Sequence, residues 1–374
     1  MLLSSVVPRP LALLPWKVIL LVLAIGGMGI ATLYSTAGGS VEPWALRQGL
    51  IFITVLLAAI GMSYMPERWI KTLTPLAYAG VFLLLILVEA MGHIGKGAQR
   101  WIDLGFMKLQ PSEFMKPVIV LVLARFYELL PLGDLRKLRA LWPAALLVGA
   151  PVGLILLQPD LGTALAVLFA AVVVMFMAGL PLWYFVGGGL AVLAALPLAY
   201  AFMHDYQRRR VLIFLDPEAD PLGAGYHVSQ SKIAIGSGGT WGKGYLNGSQ
   251  SHLQYLPEGH TDFIFSAMVE EWGLVGGTVL ILAFAGLIAW GLNVARKAHS
   301  RFGKLAAVGL TSNIFFYVGV NLMMVMGMAP VVGIPLPLVS FGGSAVMTVM
   351  LSIGVLMSFD RQIRLAPRRP AQTD

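Results

Sequence analysis

The residues that could carry chemistry are charged side chains set in apolar surroundings. Glu89, Glu113, Lys116, Asp160, Asp262, Glu270 and Glu271 fall inside apolar stretches or at their ends. Charges so placed are costly in a membrane and default to functional candidates. Glu113 and Lys116 are spaced i, i+3, so a helix puts them on one face where they can pair. Such a pair either fixes helix packing or belongs to a site. Asp160 follows Pro159 between two apolar runs, the pattern of a breaker and a helix N-cap, and a cap can also face a cavity. Asp262 immediately precedes Phe263-Ile264-Phe265. It reads either as a cap or first-turn acid favoured by the helix dipole, or as a general base. One of Glu270 and Glu271 is expected to be a buried partner for a loop arginine, and Glu89 to be interfacial.

Two further segments are basic or glycine-rich. Gly236-Ser237-Gly238-Gly239-Thr240-Trp241-Gly242-Lys243-Gly244 has the composition of a phosphate cradle. It is not a Walker A loop, because Ser237 stands where the first Gly belongs and Gly244 where Ser or Thr belongs. A glycine-rich reverse turn and a backbone anion nest with Lys243 both remain open. Arg208-Arg209-Arg210 is either a solvated interfacial run or an anchor for a pyrophosphate. His93, His204, His227, His252 and His260 show no compact zinc spacing, so no tight structural zinc is expected.

These residues must be positioned by helices in a bilayer. Of the 374 residues 58% are hydrophobic and 12% charged, with mean hydropathy +0.80. A soluble domain carries about 25% charged residues. The net charge of +8 sits in short clusters between apolar runs, which points to membrane topology rather than to nucleic acid. There is no cysteine, which excludes disulfides and thiolate chemistry. The first apolar run continues into a full span, so it reads as a retained helix rather than a cleaved signal.

A spanning helix needs about 20 apolar residues. Candidate spans are 17–37, 45–63, 73–91, 112–130, 142–158, 160–178, 182–203, 263–295, 303–327 and 339–359. The expected fold is an all-α polytopic membrane protein of about ten transmembrane helices, forming a single domain over 1–374. The 263–295 stretch would reach roughly 50 Å against a hydrocarbon core of about 30 Å, so either its first turns stand outside the bilayer or it breaks near Gly276–Gly277. Lys and Arg crowd one set of span ends, which predicts that both termini are cytoplasmic. Trp16, Trp44, Trp69, Trp142 and Trp183 fall near span ends, as interfacial anchors do. The 204–262 loop then lies outside, and its apolar pieces predict short helices on or dipping into the outer surface. All the candidate chemistry gathers on that side, with acids for proton transfer and bases for an anion.

Five ordered motifs carry a family resemblance. They are Gly97-Ala98-Gln99-Arg100-Trp101-Ile102; Gln110-Pro111-Ser112-Glu113-Phe114-Met115-Lys116; Gln158-Pro159-Asp160-Leu161-Gly162-Thr163; the run from Gln230 through Trp241-Gly242-Lys243-Gly244 to Leu256-Pro257-Glu258-Gly259-His260-Thr261-Asp262; and Pro335-Leu336-Pro337-Leu338-Val339-Ser340-Phe341-Gly342-Gly343-Ser344. Together they resemble the SEDS family (shape, elongation, division and sporulation). The absence of long cytoplasmic tails is more like its elongation branch. The resemblance implies a peptidoglycan glycosyltransferase that polymerises lipid II and works with a class B penicillin-binding protein. It implies Asp262 as the essential acid and Arg100, Trp101, Glu113, Lys116 and Asp160 around the same outer cavity, with Arg210, Lys243, Ser340 and Gly342 as lesser substrate-binding positions. A divalent cation, Mg or Mn, could help meet the pyrophosphate charge. The rival expectations are a lipid II flippase, which needs polar residues through the midplane, and a non-catalytic scaffold for the penicillin-binding protein.

Overall fold

The computed structural model describes residues 12–91, 93–95, 98–103, 105, 108–202, 208, 224–253, 255–256 and 258–365. Among the described residues ten long helices form the body: α1 (Trp16–Thr36), α2 (Ala45–Met62), α3 (Glu67–Met91), α4 (Pro111–Leu129), α5 (Leu138–Leu157), α6 (Leu161–Ala178), α7 (Leu182–Phe202), α10 (Ile264–Lys297), α11 (Arg301–Val325) and α12 (Gly343–Leu365). Among the described residues two shorter helices lie between α7 and α10: α8 (Ala224–Gly238) and α9 (Ser249–His252). Eight of the long helices are long and apolar enough to cross a membrane by themselves. α4 carries Glu113, Lys116, Arg125 and Glu128, so it needs neighbours to shield it.

The surface is the reverse of a soluble protein's. Leu20, Leu57, Leu83, Leu146, Leu190 and Leu282 face outward, and Trp16, Trp69, Trp142 and Trp183 are exposed near helix starts. Lipid tails are as apolar as leucine, so helix association rests on close packing of small residues. α6 supplies Ala164, Ala166, Ala170 and Ala171 and α11 supplies Ala306 and Ala307, all buried. One apolar core joins α1, α2, α10, α11 and α12; a second joins α3, α4, α5, α6 and α11.

Two departures from the sequence reading concern helix continuity and a sheet. α10 breaks at Gly273 (φ 68°, ψ −171°), three residues before the expected glycine pair. The 92–111 segment holds a three-stranded antiparallel sheet, β1 (His93–Gly95), β2 (Ala98–Asp103) and β3 (Lys108–Leu109), in the order β1-β2-β3. The strands pair His93 with Trp101 and Ile102 with Leu109. α3 starts at Glu67 and α12 ends at Leu365, both beyond the hydropathy spans, because helices continue past the hydrocarbon edge through Arg68, Lys71, Arg361 and Arg364.

Each end of the bundle is tied by its own polar contacts. At one end Lys71 bonds Glu67 (2.7 Å) and Glu128 (2.5 Å), and Arg301 donates to the carbonyls of Leu130 and Ala178. At the other end stand the sheet, the starts of α4, α6 and α10, and the 326–342 segment that links α11 to α12.

Candidate functional site

A cavity of about 650 Å³ opens at the end of the bundle that holds the sheet. Arg100 and Trp101 of β2, Glu113 at the start of α4, Asp160 ahead of α6, Asp262 ahead of α10, and Gly342 ahead of α12 all line it. Residues far apart in the chain therefore meet because five helix or strand ends converge there.

Asp160 does both things its sequence allowed. Its Oδ1 accepts the Thr163 amide (3.2 Å), capping α6. Its Oδ2 faces Gln110 Nε2 (2.8 Å) and Ser112 Oγ (3.4 Å) on the cavity wall. Arg100 is held by the end of α5: Nε donates to Gln158 O (2.7 Å) and Nη2 to Pro159 O. Those carbonyls are the orphans of a helix C-terminus, which a guanidinium satisfies. A guanidinium has five donors, so others remain for an anion in the cavity.

Glu113 pairs with Lys116 at 2.6 Å, and both are buried. The ammonium also sits 4.0 Å from the Tyr317 ring centroid. Glu113 lines the cavity and Lys116 does not. The lysine lies behind the wall and neutralises the acid that forms it.

Asp262 is not the cap of α10. The N-cap is Phe263, with no side-chain cap bond, and Asp262 stands one residue earlier on the cavity wall. Its segment is braced from several sides. Asn321 Nδ2 donates to Asp262 O (2.9 Å) and to Ile334 O (2.7 Å). Ser340 Oγ donates to Thr261 O (2.6 Å) and accepts the Leu336 amide (2.8 Å). His260 stacks on Trp44 with centroids 4.2 Å apart. Ser340, expected at a substrate position, is buried and does not line the cavity; its hydroxyl is used to hold the turn that presents Asp262. Gly333 (φ 70°) faces Asp262, and a methyl there would stand 3.5 Å from Asp262 Oδ2. Asn321 and Gly333 escaped the sequence reading, and Gln110 entered it only as the first residue of the second motif, without a role. A buried asparagine inside an apolar span was the one available signal, for Asn321.

Lys243 lies elsewhere. It pairs with the buried Glu270 at 2.6 Å, so among the described residues the ion-pair partner of Glu270 is this lysine, where a loop arginine was expected. Glu271 accepts a hydrogen bond from Ser35 Oγ. The glycine-rich segment does not cradle an anion: the amides of Lys243 and Gly244 donate to Glu270 O (3.0 Å) and Glu271 O (3.1 Å). In return Leu274 N donates to Gly239 O (2.9 Å) and Val275 N to Thr240 O (3.2 Å). The turn is folded onto the break in α10 and satisfies the groups that the break frees. Arg210 lies outside the described residues.

The fit of a divalent cation can be tested on the donors present. Among the described residues no three His, Asp or Glu side chains gather into a metal site, and both Asp160 oxygens are already engaged by donors. Among the described residues no set of side chains would hold a cation without the help of a substrate phosphate.

Beside the polar cavity, and sharing Val332 with it, lies an apolar groove of about 450 Å³ between α6 and α11. Leu165, Leu168, Phe169, Phe316, Val320 and Ile334 line it.

Comparison with known proteins decides the family. Residues 12–365 match the family model of the cell cycle proteins FtsW, RodA and SpoVE. The chain belongs to this family. It is 44% identical over 344 residues to the peptidoglycan glycosyltransferase MrdB of Escherichia coli (strain K12), covering 91% of each chain. It is 36% identical over 315 residues to the stage V sporulation protein E of Bacillus subtilis (strain 168), covering 84% of this chain and 85% of that one. Among solved structures it is similar to a chain in one described as "structural coordination of polymerization and crosslinking by a peptidoglycan synthase complex", with TM-score 0.80, 36% identity and coverage of 94% and 98%. The rod shape determining protein RodA of Thermus thermophilus aligns with TM-score 0.70 and 31% identity, over 93% of this chain and 97% of that one. The FtsW/RodA/SpoVE family is the one the five motifs resembled, and its multi-pass helical architecture is the one found.

Proposed function

We propose that this chain is a peptidoglycan glycosyltransferase that polymerises lipid II at the outer face of the bacterial cytoplasmic membrane, with both termini cytoplasmic. The observation that carries the reading is the meeting of Asp262, Asp160, Glu113 and Arg100 on one cavity at one end of a membrane bundle. The relatives' activity and the placement of the acids agree.

The reaction joins a sugar hydroxyl to an anomeric carbon that bears a lipid pyrophosphate. Asp262 takes the proton from the acceptor hydroxyl as the new bond forms. The pyrophosphate leaves without needing a proton, so a second carboxylic acid is not required. Arg100, oriented by Gln158 and Pro159, meets its charge. Single displacement turns an α-linked donor into a β-linked product. The apolar groove between α6 and α11 receives a polyprenyl tail and keeps its headgroup at the cavity. Lys243, neutralised by Glu270, is not assigned to the pyrophosphate. A class B penicillin-binding protein is the partner, in keeping with the synthase complex that contains a similar chain.

The test is lipid II polymerisation by purified protein with its partner, comparing wild type with Asp262→Ala and Asp262→Asn after confirming folding and partner binding. Both variants are expected to lose at least about a hundredfold in rate. Polymer formed at the wild-type rate by either would remove Asp262 from the chemistry and return the scaffold reading.

A further inference from the structure

The described residues include one buried polar side chain that touches the Asp262 segment from within an apolar span and has no part in the chemistry above. Asn321 lies in the last turns of α11 and is fully buried. Its single amide nitrogen donates both its hydrogens, one to Asp262 O and one to Ile334 O. One carbonyl is that of Asp262 and the other follows Gly333; Asp262 and Gly333 both line the cavity, and a Cβ at Gly333 would stand 3.5 Å from Asp262 Oδ2. Its Oδ1 is buried with no hydrogen-bond partner among the described residues.

We propose that Asn321 is a positioning residue for glycosyl transfer, whose amide locks Asp262 and the Gly333 wall at a fixed separation. The proposal rests on the reading of Asp262 as general base. The residue type follows from the geometry. Of the uncharged side chains only an amide donates two hydrogen bonds from one nitrogen. Serine or threonine has one donor, and an ionised aspartate has none. Its Oδ1 makes no hydrogen bond among the described residues, so what the residue supplies is carried by the two donors that hold Asp262 O and Ile334 O. A carboxylate base acts only within hydrogen-bond reach of its proton, and a displacement of about 1 Å can cost about a hundredfold in rate. Ser340 braces the preceding carbonyl, Thr261 O, from the other side, so the peptide on each side of Asp262 is fixed by one donor.

The experiment measures kcat and KM for lipid II, and thermal unfolding, for Asn321→Leu and Asn321→Ser in the full chain with its partner, beside Asp262→Asn. The expected result is a kcat lowered about ten- to a hundredfold in Asn321→Leu, with KM within about twofold and the loss persisting at temperatures well below the unfolding of the variant. Asn321→Ser, which keeps one donor, falls between. A wild-type kcat in Asn321→Leu overturns the proposal, as does a raised KM at unchanged kcat, or a loss of kcat that vanishes at temperatures well below the unfolding of each variant. If Asp262→Asn itself stays active, the general-base reading fails instead; if it is inactive while Asn321→Leu is unaffected, only the positioning role fails.

Discussion

At the scale of single residues the cavity is built from charges that are never left alone. Glu113 is matched by Lys116, and Asp160 by a helix amide and Gln110. Removing one member of a buried pair leaves the other uncompensated, at a cost of about 3–5 kcal/mol. Lys116→Met is therefore expected to lower thermal stability in detergent markedly, and Glu113→Gln/Lys116→Met to recover most of the loss. Equal loss in the single and double variants would mean that packing, not charge, sets the effect. Gly333 makes a second prediction. Its backbone is in the left-handed region, where a side chain costs about 1–2 kcal/mol, and the methyl of Gly333→Ala would lie in van der Waals contact with Asp262 Oδ2, so relief of the backbone strain moves the wall that faces the base. Polymerisation by this variant is expected to fall more than its stability does, which rate and unfolding measurements on one preparation will compare. The sequence made the acids visible because charge in an apolar context has few innocent uses. It left the roles of Gly333 and Gln110 invisible because they exist only once 110, 160, 262 and 333 are neighbours.

At the scale of elements, the hydropathy of each span located nearly every helix, since a backbone in lipid has no other way to bond its own polar groups. The small sheet was missed because three strands of two to six residues among glycines leave no periodic signal. The glycine-rich turn was ambiguous for a physical reason: a run of free amides serves an anion or a row of free carbonyls equally well. Here the carbonyls are those of Glu270 and Glu271 at the break in α10. The consequence for Lys243 is testable. If its task is to neutralise Glu270, Lys243→Ala should depress polymerisation and speed hydrogen exchange across 224–253, and adding Glu270→Gln should restore much of both. Rescue would fail if Lys243 held the pyrophosphate. Gly273→Ala should fold poorly, because its Cβ would meet the backbone of Gly242 and Thr240; the yield of monodisperse protein reports it.

At the scale of the whole molecule, the two ends of the bundle are chemically distinct: ion pairs around Lys71 at one, the cavity at the other. Orientation follows from a labelling experiment that the absence of native cysteine makes clean. Trp241→Cys, in the exposed turn over α10, should react with an impermeant maleimide on intact spheroplasts. Leu132→Cys, exposed in the short helical turn between α4 and α5, should react only after permeabilisation. The reverse pattern would invert the topology and place the cavity in the cytoplasm. The lining of that cavity runs from Arg100 to Ala345, so its wall draws on the second half of the chain as much as the first. A ribosome delivering this protein to the membrane releases the helices in order, and the wall stays open until α12 is in place. A partly inserted chain can neither grip a substrate nor spend one, so synthesis of the enzyme and onset of its activity are separated by the order of insertion itself.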